Sequence, residues 1–157
     1  MKTNTCGTII AICAILVTQA CAIQLKDLEG TWKGMRTEIQ FGVGGYSPAT
    51  LIGKRGTDGG IVINEIGTSK WFGPYNIRHT FRKDGTYRSI QTMYGLILST
   101  SSGKWRINSG AISISGVGKN SSGSSSYSGT LKKTSATKLI YSGKSGTTSV
   151  RISATRQ

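Results

Sequence analysis

The chain owns few groups that could run a reaction. There is one histidine, His79, and six carboxylates: Asp27, Glu29, Glu38, Asp58, Glu65 and Asp84. His79 alternates in phase with Ile77 and Phe81, so it reads as a hydrogen-bonded core residue before it reads as a proton shuttle. Asp84 is explained by the Lys83-Asp84-Gly85 turn, Asp58 by the 56–60 glycine loop, and Asp27 and Glu29 by a short entry turn around 26–29. Glu38 and Glu65 are left as a pair that could flank a glycosidic bond, but no spacing brings them together. Glu38 is more economically a salt-bridge partner for one of many cations. No Gly-x-Ser-x-Gly elbow is present. Gly42-Val43-Gly44-Gly45 has the glycine density of a phosphate loop, yet Tyr46-Ser47-Pro48 and a strand follow where a helix N-terminus is needed. That stretch reads as a wide hairpin loop. One histidine and scattered carboxylates offer no metal-ligand spacing, and no cofactor motif stands out. A non-enzymatic role is expected.

Binding chemistry is better supplied. Trp71, Phe72 and Tyr75 gather around Gly73-Pro74 in what reads as a loop, with Tyr46 in another loop, Tyr94 at a strand end and Trp105 in a later strand. Aromatic side chains beside a pocket can stack on a ring or an acyl chain, so Trp71, Phe72, Tyr75, His79, Tyr94 and Trp105 are the candidate ligand or partner contacts. Trp71 and Phe72 could equally cap the core. Aromatics interleaved with Lys70, Arg78 and Arg82 could also grip an anionic polymer.

The elements that must position these residues are strands. The 157 residues suffice for one domain. Lys2, the apolar run 9–17 and Ala20-Cys21-Ala22 have the layout of a secretory leader. The run is shorter than the ~20 residues a spanning helix requires. Residues 1–22 are therefore expected to be a signal peptide and 23–157 a single exported domain, periplasmic or secreted. Lipid anchoring through Cys21 is the alternative. All three cysteines (Cys6, Cys13, Cys21) fall in the leader, which leaves no pair for an internal disulfide. Without Lys2 the domain carries 19 basic residues against 6 acidic ones, a formal charge of +13. A field of that sign favours anionic partners.

Short β-branched and aromatic runs, broken by Gly, Ser, Asn and Asp, place strands at 31–41, 49–54, 61–66, 75–82, 86–94, 96–100, 104–108, 111–117, 126–133, 137–143 and 147–155, some of the middle pieces being parts of one bent strand. The stretch 118–126 (GKNSSGSSS) reads as a flexible hairpin tip. Ile112 and Ile114 alternate with Ser113 and Ser115, and Val150, Ile152 and Ala154 with Arg151, Ser153 and Thr155. Such sheets are antiparallel with one face on a core. Short successive connections favour an all-β, up-and-down antiparallel barrel of about 8–10 strands, with a β-sandwich as the alternative.

Leu28-Glu29-Gly30-Thr31-Trp32-Lys33-Gly34 resembles the opening of lipocalin-like (calycin) barrels, where Gly-x-Trp begins the first strand. Phe81 to Tyr87 (FRKDGTY) and Gly103 to Ile107 (GKWRI) are similar to middle hairpins of small bacterial lipocalin-like domains. The resemblance implies that Trp32 plugs the closed end, with Arg151 or Arg156 of the last strand beside it. It also implies a cavity for an apolar or amphipathic small molecule. A cationic module that engages an acidic protein or glycan is the second expectation, with a membrane surface as a further contact. Nucleic acid is disfavoured, since no single-strand-binding signature is present.

Overall fold

In the computed structural model, which describes residues 23–69 and 73–157, ten strands follow one another and close into a single barrel. They are β1 (Gly30–Gln40), β2 (Val43–Arg55), β3 (Ile61–Ser69), β4 (Gly73–Phe81), β5 (Thr86–Met93), β6 (Leu96–Asn108), β7 (Ala111–Asn120), β8 (Gly123–Ser135), β9 (Lys138–Ser145) and β10 (Thr148–Arg156). Every neighbour pair is antiparallel, and β1 against β10 makes the seam, with Trp32 opposite Arg156 and Gln40 opposite Thr148. Closure pairs every strand on both sides, so no strand is left as an exposed edge. The all-β, up-and-down barrel expected from alternation is the fold, and the sandwich is not. Among the described residues no helix is long and apolar enough to cross a membrane. Residues 1–22, the expected leader with all three cysteines, and Trp71 and Phe72 lie outside the described residues.

Two expectations change, and one left open is resolved. The segments 96–100 and 104–108 are one strand, β6, running through Gly103. Gly103 faces Gly116 on β7, and a Cβ on either would collide with the other strand's backbone, so this glycine pair permits the close approach where the sheet curls. The wide loop expected at 42–48 is instead the start of β2, joined to β1 by only Phe41-Gly42. The flexible tip expected at 118–126 shrinks to Ser121-Ser122, because the serines on either side pair across β7 and β8. Small polar residues there carry backbone hydrogen bonds as well as any others, and composition alone could not show it.

Turn chemistry fixes the register. Phe41-Gly42 (φ 51° and 80°), Tyr94-Gly95 (48° and 79°) and Ser109-Gly110 (46° and 73°) each place two left-handed residues between strands, the backbone of a type I′ hairpin. Asn or Asp usually takes the first of those positions. An aromatic residue there carries a backbone cost of about 1–2 kcal/mol.

The two ends of the barrel differ. At the closed end a single 3-10 turn, Leu25–Leu28, folds under the strands and buries Ile23 and Leu28. Asp27 secures it: its carboxylate accepts from Gln24 N at 2.8 Å and from Lys133 Nζ at 3.0 Å. Above lie Trp32, Leu51, Ile61, Phe81, Ile112, Leu131, Leu139, Ile152 and Ala154, one contiguous apolar core. The turns β1–β2, β5–β6, β7–β8 and β9–β10 fall at the opposite end, the mouth, where β3 also ends and β4 begins.

Candidate functional site

Inward positions along each strand change character from floor to mouth. On β1 the inward phase reads Trp32, Gly34, Arg36, Glu38; on β3 it reads Ile61, Ile63, Glu65, Gly67, Ser69. On β4 it reads Phe81, His79, Ile77, Tyr75. The lumen is therefore apolar below, ionic and aromatic across its middle, and lined near the mouth by small polar residues. Ser99, Ser101, Ser125, Ser145 and Thr148 are half-buried there, with Ser125 Oγ and Ser145 Oγ 2.8 Å apart.

The middle layer is one hydrogen-bonded network. Glu65, 1% exposed, accepts from Arg36 Nη1 at 2.5 Å and from Tyr75 Oη at 2.9 Å on one oxygen. Its other oxygen faces His79 Nε2 at 3.3 Å. His79 Nδ1 meets Tyr87 Oη at 2.8 Å, and the chain of hydroxyls continues through Tyr127 to Tyr141. Because an ionised Glu65 can only accept, Nε2 carries the proton that faces it. The Arg36 guanidinium also lies over the Tyr75 ring, 5.0 Å from its centroid, and the Tyr87 and Tyr127 rings are nearly parallel at 5.9 Å.

Burial alone would raise the Glu65 pKa, but the His79 hydrogen bond and the Arg36 charge outweigh it and hold the carboxyl at about 2. Burial opposes the Arg36 charge too, and Glu65 more than restores it. Burial, with the Glu65 charge beside it, pushes the Tyr75 hydroxyl well up. Burial does the same to Tyr87, Tyr127 and Tyr141, helped by neighbouring phenols. Two buried N–H groups among the described residues lack an acceptor: Trp32 Nε1 in the floor and, in this layer, Arg36 Nε, with Glu38 Oε2 standing 3.5 Å away. An unpaired buried donor costs free energy until something accepts from it.

Beneath this layer sits a cavity of about 30 Å³, bounded by Leu51, Ile63, Phe81, Ile114, Leu131 and Ile152 below and by Glu65, His79 and Tyr141 above. That is room for a water molecule and not for an acyl chain. Among the described residues no three His, Cys, Asp or Glu side chains converge as cation ligands.

The sequence candidates scatter. Tyr75 is not in a loop but inside β4, buried against Glu65. His79 keeps its inward phase and joins the same network. Tyr94 stands in the β5–β6 turn at the mouth, 77% exposed. Trp105 is at the other end, half-buried, its Nε1 donating to Arg82 O at 2.8 Å and its ring edge-on to Phe81; it braces the floor. Trp32 is buried in the floor. The arginine over it is Arg156, 5.3 Å from the ring, which also donates to Glu29 O at 2.8 Å. Arg151 is exposed, because Ile152 takes the inward phase on that strand. Residues not singled out beforehand are Arg36, Tyr87, Tyr127 and Tyr141. A signal existed for three of them: Arg36 follows Trp32 by four places, Tyr127 precedes Leu131 by four, and Tyr141 follows Leu139 by two, all inward phases.

No protein-family model and no curated protein matches the sequence. Among solved structures the chain is similar in fold to Rv2717c from M. tuberculosis, with a TM-score of 0.60, 11% identity, and coverage of 85% of this chain and 94% of that one. It also aligns with a protein of unknown function of the DUF3598 family from Nostoc punctiforme, with a TM-score of 0.49, 13% identity, and coverage of 87% of this chain and 50% of that one.

Proposed function

We infer that the barrel is a small-molecule-binding protein whose ligand enters by the mouth and presents a polar group to the Arg36–Glu65–His79–Tyr75 layer. The observation behind this reading is the layer itself. Folding needs no buried arginine, carboxylate and imidazole halfway up a lumen, and apolar replacements of an ion pair are often as stable or more so. The unpaired Arg36 Nε–H and the half-buried serines on the mouth side of the layer supply donors and acceptors. Binding rather than turnover fits a Glu65 held at about 2, which is far too weak a base to take protons near neutrality.

The layer also selects. Glu38 and Glu65 both face the single guanidinium of Arg36, so a fatty carboxylate meets more negative than positive charge. Hydroxylated or amine-bearing amphipaths are favoured, with their apolar part kept above the floor because the space below is too small. Fluorescence titration with N-phenyl-1-naphthylamine, followed by competition with dodecylamine and dodecanoate, tests this. The amine should displace the probe better than the carboxylate, and Ser101→Phe, which fills the mouth half of the lumen, should abolish uptake while the fold persists. Equal uptake by Ser101→Phe, or none by the wild type, would sink the reading.

A second reading rests on the outer wall. Lys54, Arg55, Arg78 and Arg82 border a groove of about 640 Å³ across β2, β3 and β4; Glu29 pairs with Arg55 and Asp58 accepts from Gly60 N, so the lining keeps a cationic excess. Such a groove suits an acidic glycan or protein. Retention on a sulfated polysaccharide should fall with added salt and with Arg78→Glu/Arg82→Glu. Retention that ignores both would remove this reading.

A further inference from the structure

The mouth carries large apolar side chains that the barrel does not use. In the β1–β2 hairpin these are Ile39, Phe41, Val43 and Tyr46; in the β5–β6 hairpin they are Tyr94, Leu96, Ile97 and Leu98, and every one is exposed. Phe41 is 76%, Tyr94 77% and Leu96 70% exposed. Strict alternation fails here: Leu96, Ile97 and Leu98 are consecutive and all exposed, so apolar groups stand on both sides of the ribbon. Strand order separates the two hairpins by four positions of ten, placing them on nearly opposite sides of the opening.

Both tips are built against local preference. The first left-handed position of each turn holds an aromatic residue, Phe41 or Tyr94, where Asn or Asp is favoured. Backbone strain kept at a surface position points to a use for the side chain that projects from it. Charge adds an independent observation. Among the described residues, the outer surface of the mouth half carries Lys119, Lys144 and Arg151, all exposed, and no carboxylate, because Glu38 is turned inward onto Arg36. Going round the mouth by strand order, these cations fill the arc from β7 to β10 between the two apolar tips.

We propose that the mouth docks on an anionic lipid surface, the two hairpin tips inserting their aromatic and aliphatic side chains at the level of the headgroups while Lys119, Lys144 and Arg151 contact lipid phosphates. Separate projecting tips suit the interfacial zone of a bilayer, where amphipathic rings are at home, and burial of their apolar surface with cationic support is what holds peripheral proteins there. The barrel would then face its opening toward the membrane. This docking stands independently of the lumen reading, since it needs no ligand inside.

The test is co-sedimentation of the protein produced from the full-length sequence with vesicles of phosphatidylcholine, with and without phosphatidylglycerol, at low and high salt. The decisive variant is Phe41→Asn/Tyr94→Asn. Asn suits the left-handed turn position, so the variant should melt at a higher temperature than the wild type while its partitioning falls by about tenfold or more. Lys119→Gln/Lys144→Gln should weaken binding to the phosphatidylglycerol vesicles and leave binding to neutral ones unchanged. The proposal is overturned if the Asn variant partitions like the wild type. It is equally overturned if sedimentation shows that the tips hold a second copy of the chain, with a dimer lost in the Asn variant and no vesicle binding by either protein.

Discussion

The two ends of this barrel are made from the same ten strands and spend their inward positions differently. At the closed end those positions hold Trp32, Ile61, Phe81, Ile112, Leu131 and Ile152, capped by the 3-10 turn and latched by Arg156 over Trp32. At the mouth they hold serines, and between the two lies an ionic layer. Outer positions reverse the pattern at the tips, where the mouth exposes apolar side chains and the closed end shows Lys54, Arg55 and Arg82. The contrast places the packed core at one end, and under the proposed function it leaves recognition to the other; substitutions can separate the two.

The largest expected effect is at the floor. Trp32→Ala should cost about 3–5 kcal/mol through lost burial and the cavity left behind, read as a shift in the denaturant midpoint at constant slope. A much smaller cost would mean that the floor is not where stability resides. Next comes the ionic layer. Arg36→Leu should cost about 3 kcal/mol, because Glu65 would be left buried and unpaired, whereas Arg36→Leu/Glu65→Leu should recover most of that loss. A double variant as unstable as the single one would make the layer a structural necessity and erase the distinction between the ends.

The same layer sets the pH response. Glu65 falls from 4.5 in the unfolded chain to about 2 in the barrel, so its contribution is complete above about pH 4.5 and is lost as pH drops toward 2. Tyr75, Tyr87, Tyr127 and Tyr141 are shifted upward; the stability they confer is present below pH 10 and disappears as the solution becomes more alkaline. A stability plateau between those limits, with the acid limb flattened in Arg36→Leu/Glu65→Leu, is the expected denaturation profile. The smallest effect belongs to the mouth: Ser101→Ala should change stability by less than about 0.5 kcal/mol. A larger loss would make that half part of the core.

How far the sequence announced this division can be seen residue by residue. Alternation in 111–117 and 150–155 identified inward faces correctly, because a pleated strand sends consecutive side chains to opposite sides whatever its partners are. It also placed His79. Tyr75 shares that phase at the head of the expected 75–82 strand, but Gly73-Pro74 beside it looks like loop punctuation and drew it into a loop cluster, while β4 in fact begins at Gly73. Residues 118–126 read as a flexible hairpin tip because serine has no burial signal of its own, and only the ladder of Ser124, Ser125 and Ser126 to Lys119, Gly118 and Val117 shows them to be strand. The network of Glu65 with Arg36, 29 residues away, depends on which strands become neighbours; spacing along one chain carries no such information. Arg156 rather than Arg151 over Trp32 follows from phase alone and was within reach of the sequence.

The seam between β1 and β10 has a consequence for biogenesis. Its halves are more than a hundred residues apart in sequence, so the first strand to leave the ribosome waits for the last before either is satisfied. Until then an unpaired ladder is available to other nascent copies, and assembly should be slow and sensitive to crowding during synthesis. Trimming a few residues from the C-terminal strand would prolong that vulnerable interval far more than an equal deletion in any surface turn.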